Sequence, residues 1–483
     1  MRLKKISALS LAAAMSVCTV PAFGAAETEN VNVPKYIFLF IGDGMSYPQV
    51  QTTNYYLNAI ADDGDDVLTS ESKLNMMKFP VAGSAQTYDS TSFCPDSAST
   101  ATSISTGHKT YSGTINMDEK METSYETIAE KLKKQLGYKV GILSSVNLNH
   151  ATPAAFYAHQ PSRNNYYEIG QELIASDFDY FAGGGLKKTT GPDKDKTDLY
   201  QLAEEAGYKV IKTQEEAQAL TAEDGKAIVI DETLADSDAM SYDMDLEEGE
   251  WGLSDYVEKG IEVLNNDTGF FMMVEGGKID WACHSNDAAT TFHEVIDFDN
   301  AIKVAYEFYS QHPDETLIVV TADHETGGFV LGKGPYELNL QVLKNQKVSE
   351  SGFTKVINQL RSKTNNQVSW EAVQQALKDN FGFWDKIQLN EKQEARLKNV
   401  YEQTMKNQQV KMEKSEYAQD EPIAAEAKRI INEIALTGWT SGGHSAGYVP
   451  VFAIGVGAEK FQNRIDNTEI PVKIAEAAGY SRK

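Results

Sequence analysis

One local pattern recurs along this chain: a continuous apolar run, a polar or glycine-rich turn, and then a stretch of helical character. The apolar runs lie at residues 36–41, 140–143, 270–274, 316–321 and 449–456. Because they are continuous rather than alternating, they indicate strands that are covered on both faces. The pattern therefore predicts an α/β fold with a large, mainly parallel central sheet and helices on both of its faces.

Helical stretches lie between these apolar runs. Residues 123–136 carry Ile128 and Leu132 at helical spacing, and Gly137 follows them as a typical residue just past a helix end. Residues 287–310 form another such stretch. Strands that alternate with helices are the arrangement expected for a parallel sheet.

The segment of residues 331–425 departs from the recurring pattern. It is rich in Gln, Lys, Asn and Glu, and it has helical patches at 369–380 and 390–409 but no strand-turn-helix unit. We interpret it as a helical and loop insertion in one catalytic domain that spans residues 26–483, because candidate site residues lie on both sides of it. A lid, a subunit contact and a solvated surface insertion are all compatible with this composition.

The N-terminus has the layout of an export signal. Three basic residues among the first five precede a mostly apolar stretch at 6–20, and small residues follow it. We therefore predict a signal peptide at residues 1–25 and a periplasmic or secreted protein. Cys18 is a poor lipidation site because the bulky Val17 precedes it. No other apolar run approaches the ~18–20 residues that a membrane span needs.

The acidic composition limits the possible partners. The formal net charge is −26 at pH 7, so nucleic acid and anionic membranes, which bind clustered Lys and Arg, are poor partners for this chain. The overall field of such a protein does not attract a phosphate either. Any anion site must be local, and bound metal cations are the obvious source of positive charge.

Cysteine content indicates no disulfide framework. Beyond the predicted signal peptide the chain has only Cys94 and Cys283, and two cysteines in a long exported chain are too few for such a framework. Both are adjacent to candidate site residues, so a bridge between them is conceivable. Two buried free thiols are the simpler interpretation.

Ligand-type side chains follow three of the predicted strands. Asp43 lies between two glycines after the first apolar run, Glu275 follows the third, and Asp323 and His324 follow the fourth. In open α/β sheets, ligands bind beyond the carboxyl ends of the strands. We therefore expect these residues to meet in one crevice despite their separation in sequence.

Two further imidazoles extend this ligand set. Asp280 and His284 are four residues apart, so one face of a helical turn can present both to a single ion. His444 lies in a glycine-rich loop, where the backbone can approach a ligand closely. Carboxylates combined with imidazoles suit zinc, with magnesium nearby.

Ser97 is the candidate nucleophile. It opens a stretch of small residues that runs to Gly107 and can be helical. At a helix N-terminus, unsatisfied N–H groups and the helix dipole favour an alkoxide and a phosphate. Because no Ser-His-Asp pattern accompanies this serine, we expect a metal to activate it. Taken alone, the motif is also compatible with a simple helix cap.

Three candidate residues follow the second predicted strand. His150 and Thr152 can offer ligands to a third ion. Arg163 presents the planar fork that grips two phosphate oxygens, although an isolated arginine is more often a surface ion pair. His293 is the best spare ligand if one of these assignments fails.

Six motifs, taken together and in order, are similar to those of the alkaline phosphatase family. They are IGDGM around Asp43, PDSAST around Ser97, HATPAAFYAH…SR from His150 to Arg163, EGGKIDWACH from Glu275 to His284, TADHETGG around Asp323, and GWTSGGHSAG around His444. The resemblance covers essentially the whole mature chain. It implies hydrolysis of phosphate monoesters through a covalent phosphoserine on Ser97, and it suggests a homodimer, with a monomer still possible.

The resemblance also implies two zinc ions and one magnesium ion per chain. Arg163 would bind the phosphate of the substrate. The implied ligands are Asp280, His284 and His444 for the first zinc, Asp43, Asp323, His324 and Ser97 for the second zinc, and Asp43, Thr152 and Glu275 for magnesium, with His150 beside the third site.

Two positions differ from the enterobacterial form of the family and are similar to its marine-bacterial branch. His150 stands where the enterobacterial form has an aspartate, and Trp281 stands where it has a lysine. These differences leave open how tightly the third site holds magnesium. Because an indole carries no charge, we expect Trp281 to contact the phosphate through its N–H and a water molecule.

Two alternative functions stay open on the sequence alone. A phosphodiesterase, a phosphomutase or a sulfatase would use the same architecture, although residues 94–96 do not fit the Cys/Ser-x-Pro-x-Arg run of a sulfatase. A non-catalytic periplasmic phosphate-binding protein is the second alternative. Such a protein would have no use for the three imidazoles of His284, His324 and His444.

Overall fold

The computed structural model describes residues 33–61, 71–405 and 411–480. The predicted signal peptide and Cys18 lie outside the described residues. The strands are β1 (Tyr36–Gly42), β2 (Val81–Gln86), β3 (Lys139–Ser144), β4 (Tyr180–Gly183), β5 (Lys209–Ile211), β6 (Ala227–Ile230), β7 (Phe270–Gly276), β8 (Thr316–Ala322), β9 (Glu325–Thr326), β10 (Val330–Leu331), β11 (Glu413–Lys414), β12 (Gln419–Asp420), β13 (Thr437–Gly438), β14 (His444–Ser445), β15 (Val449–Gly455) and β16 (Asn463–Asp466).

Helices separate most of these strands, as the alternating pattern predicts. The α-helices are α1 (Tyr47–Ala61), α2 (Ser97–Thr106), α3 (Ile128–Leu136), α4 (Ala151–Ala154), α5 (Tyr166–Ala175), α6 (Leu199–Glu205), α7 (Gln214–Ala219), α8 (Leu253–Leu264), α9 (Lys278–His284), α10 (Ala288–Gln311), α11 (Glu350–Lys363), α12 (Trp370–Phe381), α13 (Glu391–Thr404), α14 (Pro422–Ile434) and α15 (Glu469–Ala477).

A sheet of ten strands, in the order β16-β2-β15-β8-β1-β7-β3-β4-β6-β5, organises the fold. Strand β15 runs antiparallel to both of its neighbours, β8 and β2, whereas the other neighbouring pairs are parallel. The predicted α/β fold with a mainly parallel sheet is therefore confirmed. The antiparallel direction of β15 is a feature that its continuous apolar run does not reveal.

The central strands are buried along their whole length. Every residue of β1, β7 and β8 is buried, because helices such as α8 and α10 pack against the sheet. This burial explains why the three strands have continuous rather than alternating apolar sequences. Their rigid, covered ends provide the positions from which the candidate ligands project.

The helix bounds follow local capping signals. Helix α3 begins at Ile128 rather than near residue 123, because Thr127 and Glu130 form a capping box. Its predicted end is confirmed, since Gly137 adopts a left-handed conformation with a φ of 71°. Helix α10 lies within one residue of its predicted bounds.

The segment of residues 331–425 carries a second cluster of buried side chains. Helices α11, α12 and α13 pack with α14, and buried Phe353, Phe381 and Leu397 belong to this cluster. Phe292 of α10 is part of the same cluster, so the segment packs onto a helix that also covers the central sheet. This core differs from a purely solvated surface insertion. A lid or subunit-contact role, and the domain bounds 26–483, stay predictions.

A substitution of Phe353 tests whether this second core contributes to the stability of the protein. Phe353 is fully buried, and its ring meets that of Phe381 edge-on with 5.0 Å between the centroids. We expect Phe353→Ala to lower the free energy of unfolding by about 3–5 kcal/mol, because it leaves a cavity. Phe93 is 75% exposed, so the control Phe93→Ala is expected to change it by less than about 0.5 kcal/mol. Equal effects in chemical denaturation would contradict this expectation.

Candidate metal centre and active site

Three candidate carboxylates project from the level ends of neighbouring parallel strands. The register of β1 pairs Ile41 with Glu275 of β7 and with Thr321 of β8. Asp43 and Asp323 directly follow the ends of β1 and β8, so both lie at the same edge as Glu275. All three carboxylates are fully buried. The predicted convergence beyond the strand ends is therefore present in the structure.

His444 also lies at this edge of the sheet, although it precedes an antiparallel strand instead of following a parallel one. Because β15 is antiparallel to β8, the start of β15 rather than its end lies at the edge, with Val451 beside Thr321. The short strand β14 pairs antiparallel with β9, and His444 lies opposite Thr326. The pairing of β14 with β9 thus places His444 close to Asp323 and His324, which lie between β8 and β9.

The first group of ligand-type atoms is formed by α9 and β14, and His324 also places a ligand atom within 4.8 Å of those of Asp280 and His444. The His284 Nε2 atom lies 3.3 Å from Asp280 Oδ2 and 3.3 Å from His444 Nε2. Each imidazole uses its Nδ1 on a backbone carbonyl, at 2.6 Å to Gly442 for His284 and 2.5 Å to Pro95 for His444. An Nδ1–H that donates to a carbonyl leaves the Nε2 lone pair available for a metal.

The second group surrounds the candidate nucleophile. Asp43, Asp323 and His324 place one ligand atom each within 4.8 Å of one another. The His324 Nε2 atom lies 3.3 Å from both Asp43 Oδ1 and Asp323 Oδ2. The Ser97 Oγ atom lies 3.2 Å from the same nitrogen. The hydroxyl is therefore adjacent to a set of atoms that fits a divalent cation.

The third group combines the ends of β1 and β7 with the start of α4. Asp43, His150 and Glu275 place one ligand atom each within 4.8 Å of one another. The Thr152 side chain is fully buried on the same short helix that follows His150. Ser144 at the end of β3 donates a short hydrogen bond to Glu275 Oε2, which leaves Glu275 Oε1 available to an ion.

Several buried polar atoms of these groups have no hydrogen-bond partner in the described part of the chain. They are both carboxylate oxygens of Asp43, Asp280 Oδ2, Glu275 Oε1, Thr152 Oγ1 and His150 Nδ1. Leaving such an atom unpaired costs about 1–3 kcal/mol, and more when it is charged. Their concentration at one place fits the binding of divalent cations, which would satisfy all of these atoms.

The carboxyl groups here are hard to ionise together without cations. Burial raises the pKa of Asp323 to about 7, and the charge of Asp280 adds to this shift. Burial also raises the pKa of Glu275 to about 8, although the hydrogen bond from Ser144 opposes it. Burial and then repulsion from Asp323 raise the pKa of Asp43 well above its usual value. Bound divalent cations would relieve this repulsion.

Two of the imidazoles, those of His324 and His150, are in the neutral form that binds metals. Burial lowers the pKa of His324 and of His150 well below the usual value, which keeps both rings neutral. His284 differs, because the attraction of Asp280 outweighs burial and raises the pKa of His284 to about 9. A cation bound at this pair would displace that proton.

Ser97 and Arg163 are held close together by Asp96. Helix α2 begins at Ser97, and Asp96 caps it by accepting a hydrogen bond from the Ser99 N–H at 3.1 Å. Asp96 Oδ2 also accepts from Arg163 Nη1 at 3.0 Å. Burial would raise the pKa of Asp96, but Arg163 and the hydrogen bonds to its carboxylate lower it. Arg163 is thus held beside the helix N-terminus that carries the candidate nucleophile.

Trp281 and a residue that the sequence analysis missed, Tyr417, form one wall of this site. The two rings are stacked with 4.6 Å between their centroids and an interplanar angle of 11°. Trp281 is buried, and its Nε1 has no hydrogen-bond partner among the described residues. Tyr417 lies in the predicted insertion, outside all six motifs, so only its aromatic character within a polar stretch could have drawn attention to it.

Thr326 is a second missed residue. Its hydroxyl donates to Asp280 Oδ1 at 2.5 Å and lies 3.3 Å from His324 Nδ1. It therefore links the first and second groups of ligand atoms. Thr326 belongs to the TADHETGG motif, so its place next to Asp323 and His324 was the signal that could have found it.

Some predicted candidates lie outside these groups or differ from expectation. The spare ligand His293 contacts Asp243, with Nδ1 3.1 Å from Oδ2, and is in none of the ligand-type clusters found among the described residues. Cys94 and Cys283 are both free, so the structure contains no bridge between them. The expectation that both thiols are buried is wrong for Cys94, which is exposed because it lies in the loop before α2.

Comparison with known proteins gives a consistent result along the chain. The model of the family described as alkaline phosphatase matches residues 34–480. Alkaline phosphatase 4 of Bacillus subtilis is 29% identical over 477 residues, which cover 95% of this chain and 94% of that protein. Alkaline phosphatase 3 of the same organism is 30% identical over 496 residues, which cover 100% of this chain and 98% of that protein.

Solved structures resemble the fold as well. The cold-active alkaline phosphatase from a psychrophilic Shewanella is 28% identical with a TM-score of 0.75, and the match covers 92% of this chain and 100% of that one. A variant of the TAB5 alkaline phosphatase, solved with Mg bound in its M3 site, is 27% identical with a TM-score of 0.64 and coverage of 94% and 100%.

The crowded carboxyl groups predict how pH affects the protein without divalent cations. Asp323 and Glu275, with pKa values of about 7 and 8 when folded, bind protons more tightly in the folded state than in the unfolded state, where ordinary values near 4 apply. Their contribution to stability is therefore fully present below about pH 4 and is lost as the pH rises from there through the folded pKa values of about 7 and 8. We expect the Tm in EDTA to fall between pH 6 and pH 9.

Two comparisons make this pH experiment specific. In the cation-free protein, Asp323→Asn should reduce the fall in Tm, because the amide does not ionise. With zinc and magnesium restored, the wild-type Tm should exceed that in EDTA by more at pH 9 than at pH 6, because cations bind the ionised carboxylates. A Tm in EDTA that rises across this range would refute the expectation.

Proposed function

We infer the mechanism of this chain from the premise that it belongs to the alkaline phosphatase family and is a phosphatase that hydrolyses phosphate monoesters. We propose that it works through a covalent phosphoserine on Ser97 and depends on divalent cations. The observation that carries this proposal is the position of the Ser97 hydroxyl, 3.2 Å from His324 Nε2 and next to a buried ligand set.

Two zinc ions and one magnesium ion are the proposed cofactors. Bound divalent cations lower the pKa of a coordinated hydroxyl or water and stabilise negative charge on phosphoryl oxygens. The unpartnered carboxylate and imidazole atoms support this assignment. The proposed ligands are Asp280, His284 and His444 for one zinc, Asp43, Asp323, His324 and Ser97 for the other zinc, and Asp43, Thr152 and Glu275, with His150, for magnesium.

Ser97 is proposed to attack the phosphorus of the monoester in line with the leaving alcohol. The new P–Oγ bond forms as the bond from phosphorus to the alcohol oxygen breaks. A water molecule then attacks the phosphoserine and releases inorganic phosphate and the free serine. The position of Ser97 at the N-terminus of α2 supports this role, because the helix dipole stabilises an oxyanion there.

Arg163 is proposed to hold the phosphate in the orientation that Ser97 needs. Its guanidinium is fixed by Asp96 and by His150, whose Nε2 lies 3.0 Å from Arg163 Nη2. A planar guanidinium that is already oriented binds two phosphate oxygens with little loss of side-chain freedom. Trp281 is proposed to contact the phosphate through its Nε1–H and a water molecule, which is supported by the lack of a protein partner for this group in the described residues.

We also propose where this enzyme is located and how it assembles. In the residues that the structure describes, no helix is both long enough and apolar enough to cross a membrane. Periplasmic or secreted location is proposed from the predicted signal peptide, and a homodimer from the family resemblance. The family assignment removes the alternative of a non-catalytic phosphate-binding protein, because its members are enzymes.

Replacement of Ser97 tests the nucleophile. We expect Ser97→Ala, loaded with zinc and magnesium, to lose at least about 10³-fold in kcat for p-nitrophenyl phosphate, because the attacking oxygen is gone. Acid quenching during turnover of a ³²P-labelled monoester should label wild-type Ser97 and leave the variant unlabelled. Ser103→Ala is the matched control in α2, since the Ser103 hydroxyl only bonds back to the Ser99 carbonyl at 3.1 Å. Undiminished hydrolysis by Ser97→Ala would refute the assignment.

Removal and return of the cations tests the proposed cofactors. Dialysis against a chelator is expected to abolish hydrolysis, and zinc with magnesium should restore it, with two zinc ions and one magnesium ion bound per chain by elemental analysis. Glu275→Gln should lower the magnesium content while both zinc ions stay bound, because Glu275 belongs only to the third group. Full activity in the chelated protein, or loss of zinc in Glu275→Gln, would argue against these assignments.

A further inference from the structure

Tyr417 is held over the candidate active site by a tethered hairpin. Strands β11 and β12 pair antiparallel, and the four-residue loop between them is closed by a hydrogen bond of 3.1 Å from the Ser415 N–H to the Ala418 carbonyl. The Ser285 hydroxyl, directly after α9, donates to Ser415 Oγ at 3.3 Å. Arg429 of α14 forms an ion pair with Glu413 of β11. These contacts fix the loop next to the helix that carries Asp280 and His284.

The ring of Tyr417 contacts residues from separate parts of the site. Besides its stacking on Trp281, it packs edge-on against His284 with 5.4 Å between the centroids and against His150 with 5.8 Å. These neighbours come from α9 and from the start of α4. Three aromatic contacts with different orientations leave the ring little freedom, so its hydroxyl has a defined position.

The hydroxyl of Tyr417 lies next to the phosphate-binding arginine. Arg163 Nη2 donates to the Tyr417 oxygen at 3.4 Å. A phenolic hydroxyl can accept and donate at the same time. Within residues 33–61, 71–405 and 411–480, no acceptor for the Tyr417 proton is found at hydrogen-bond distance. The proton is therefore available to a ligand that binds at Arg163.

We propose that Tyr417 is a phosphate-binding residue, whose hydroxyl donates to an oxygen of the phosphoryl group that Arg163 holds. This proposal rests on the proposed function of the Arg163 site. It assigns a role to the insertion of residues 331–425: the insertion supplies one ligand contact to a site that is otherwise built at the strand ends. The ligand class is a terminal phosphoryl group with free oxygens, as in a phosphate monoester or inorganic phosphate.

The expected size of the effect follows from the surroundings of the hydroxyl. A hydrogen bond to a charged group contributes more to binding than one between neutral groups when water does not replace it. A cavity of about 650 Å³, lined by Tyr417 together with Ser415 and Glu416, opens beside the hairpin, so water can partly replace a lost hydroxyl. We therefore expect a moderate effect, about five- to tenfold in phosphate affinity.

Tyr417→Phe is the central variant, because it removes the hydroxyl and keeps the ring. In the metal-loaded protein, the Kd for inorganic phosphate, measured by calorimetry, is expected to rise about five- to tenfold. The KM for p-nitrophenyl phosphate should rise by a similar factor while kcat changes less than about twofold, because the contact is made in both the ground state and the transition state. Metal content and Tm should match the wild type.

Tyr336→Phe is the matched control, since Tyr336 also lies in the insertion but is fully exposed. It should leave the Kd for phosphate unchanged. A Kd for Tyr417→Phe within twofold of the wild type overturns the proposal, even if Tyr417→Ala weakens binding, because the ring alone would then be responsible. Phosphate binding is measured without turnover, so a wild-type protein that binds phosphate but forms no phosphoserine would overturn the proposed mechanism and leave this test intact.

Discussion

Mutual repulsion among buried carboxylates is the constraint on which the candidate active site depends. Asp43, Glu275, Asp280 and Asp323 are all fully buried within one small region. Isolated buried charges are costly, and adjacent like charges add to that cost. The protein offsets part of it with imidazoles and with donors such as the Gly44 N–H, which lies 3.2 Å from Asp323 Oδ1. Several oxygens still lack partners among the described residues, so protonation or bound cations would stabilise the arrangement.

The central sheet makes such an unfavourable arrangement possible. The carboxylates project from the ends of strands whose residues are buried throughout and whose register is fixed by two neighbours each. Moving Glu275 away from Asp43 would require a shift of β7 along β1, and that shift would disrupt packing along the whole strand. The large apolar core thus supplies the energy that holds repelling groups together in the absence of cations.

The sequence was informative wherever one local rule determined the position of a residue. Continuous apolar runs predicted buried strands, and their ends predicted where Asp43, Glu275 and Asp323 lie. The direction of β15 could not be predicted, because an apolar run has the same appearance in either direction. His444 therefore lies in the site because β15 runs antiparallel to β8, which only the tertiary structure reveals. The exposure of Cys94 was missed for a similar reason, since burial in a loop depends on distant neighbours.

Tyr417 shows a stronger limit of sequence reasoning. Its position depends on a short hairpin, on an ion pair between Arg429 and Glu413 and on stacking against Trp281, which is 136 residues earlier in the chain. None of these contacts follows from periodicity or from a motif. Residues at strand ends are placed by the sheet itself, whereas residues of an insertion are placed by a few specific contacts that each depend on the folded protein.

The positive charge of Arg163 is largely neutralised by its surroundings. The chain is strongly acidic, and the positive charge of Arg163 is already offset by Asp96 at 3.0 Å. This arginine therefore contributes orientation more than net attraction for a phosphate dianion. Trp281 adds no charge either, because its side chain is neutral. In the proposed function, attraction for the substrate would then come from cations bound by the buried carboxylates, so the same repulsion that disfavours the cation-free ligand set would also make the loaded site able to bind an anion.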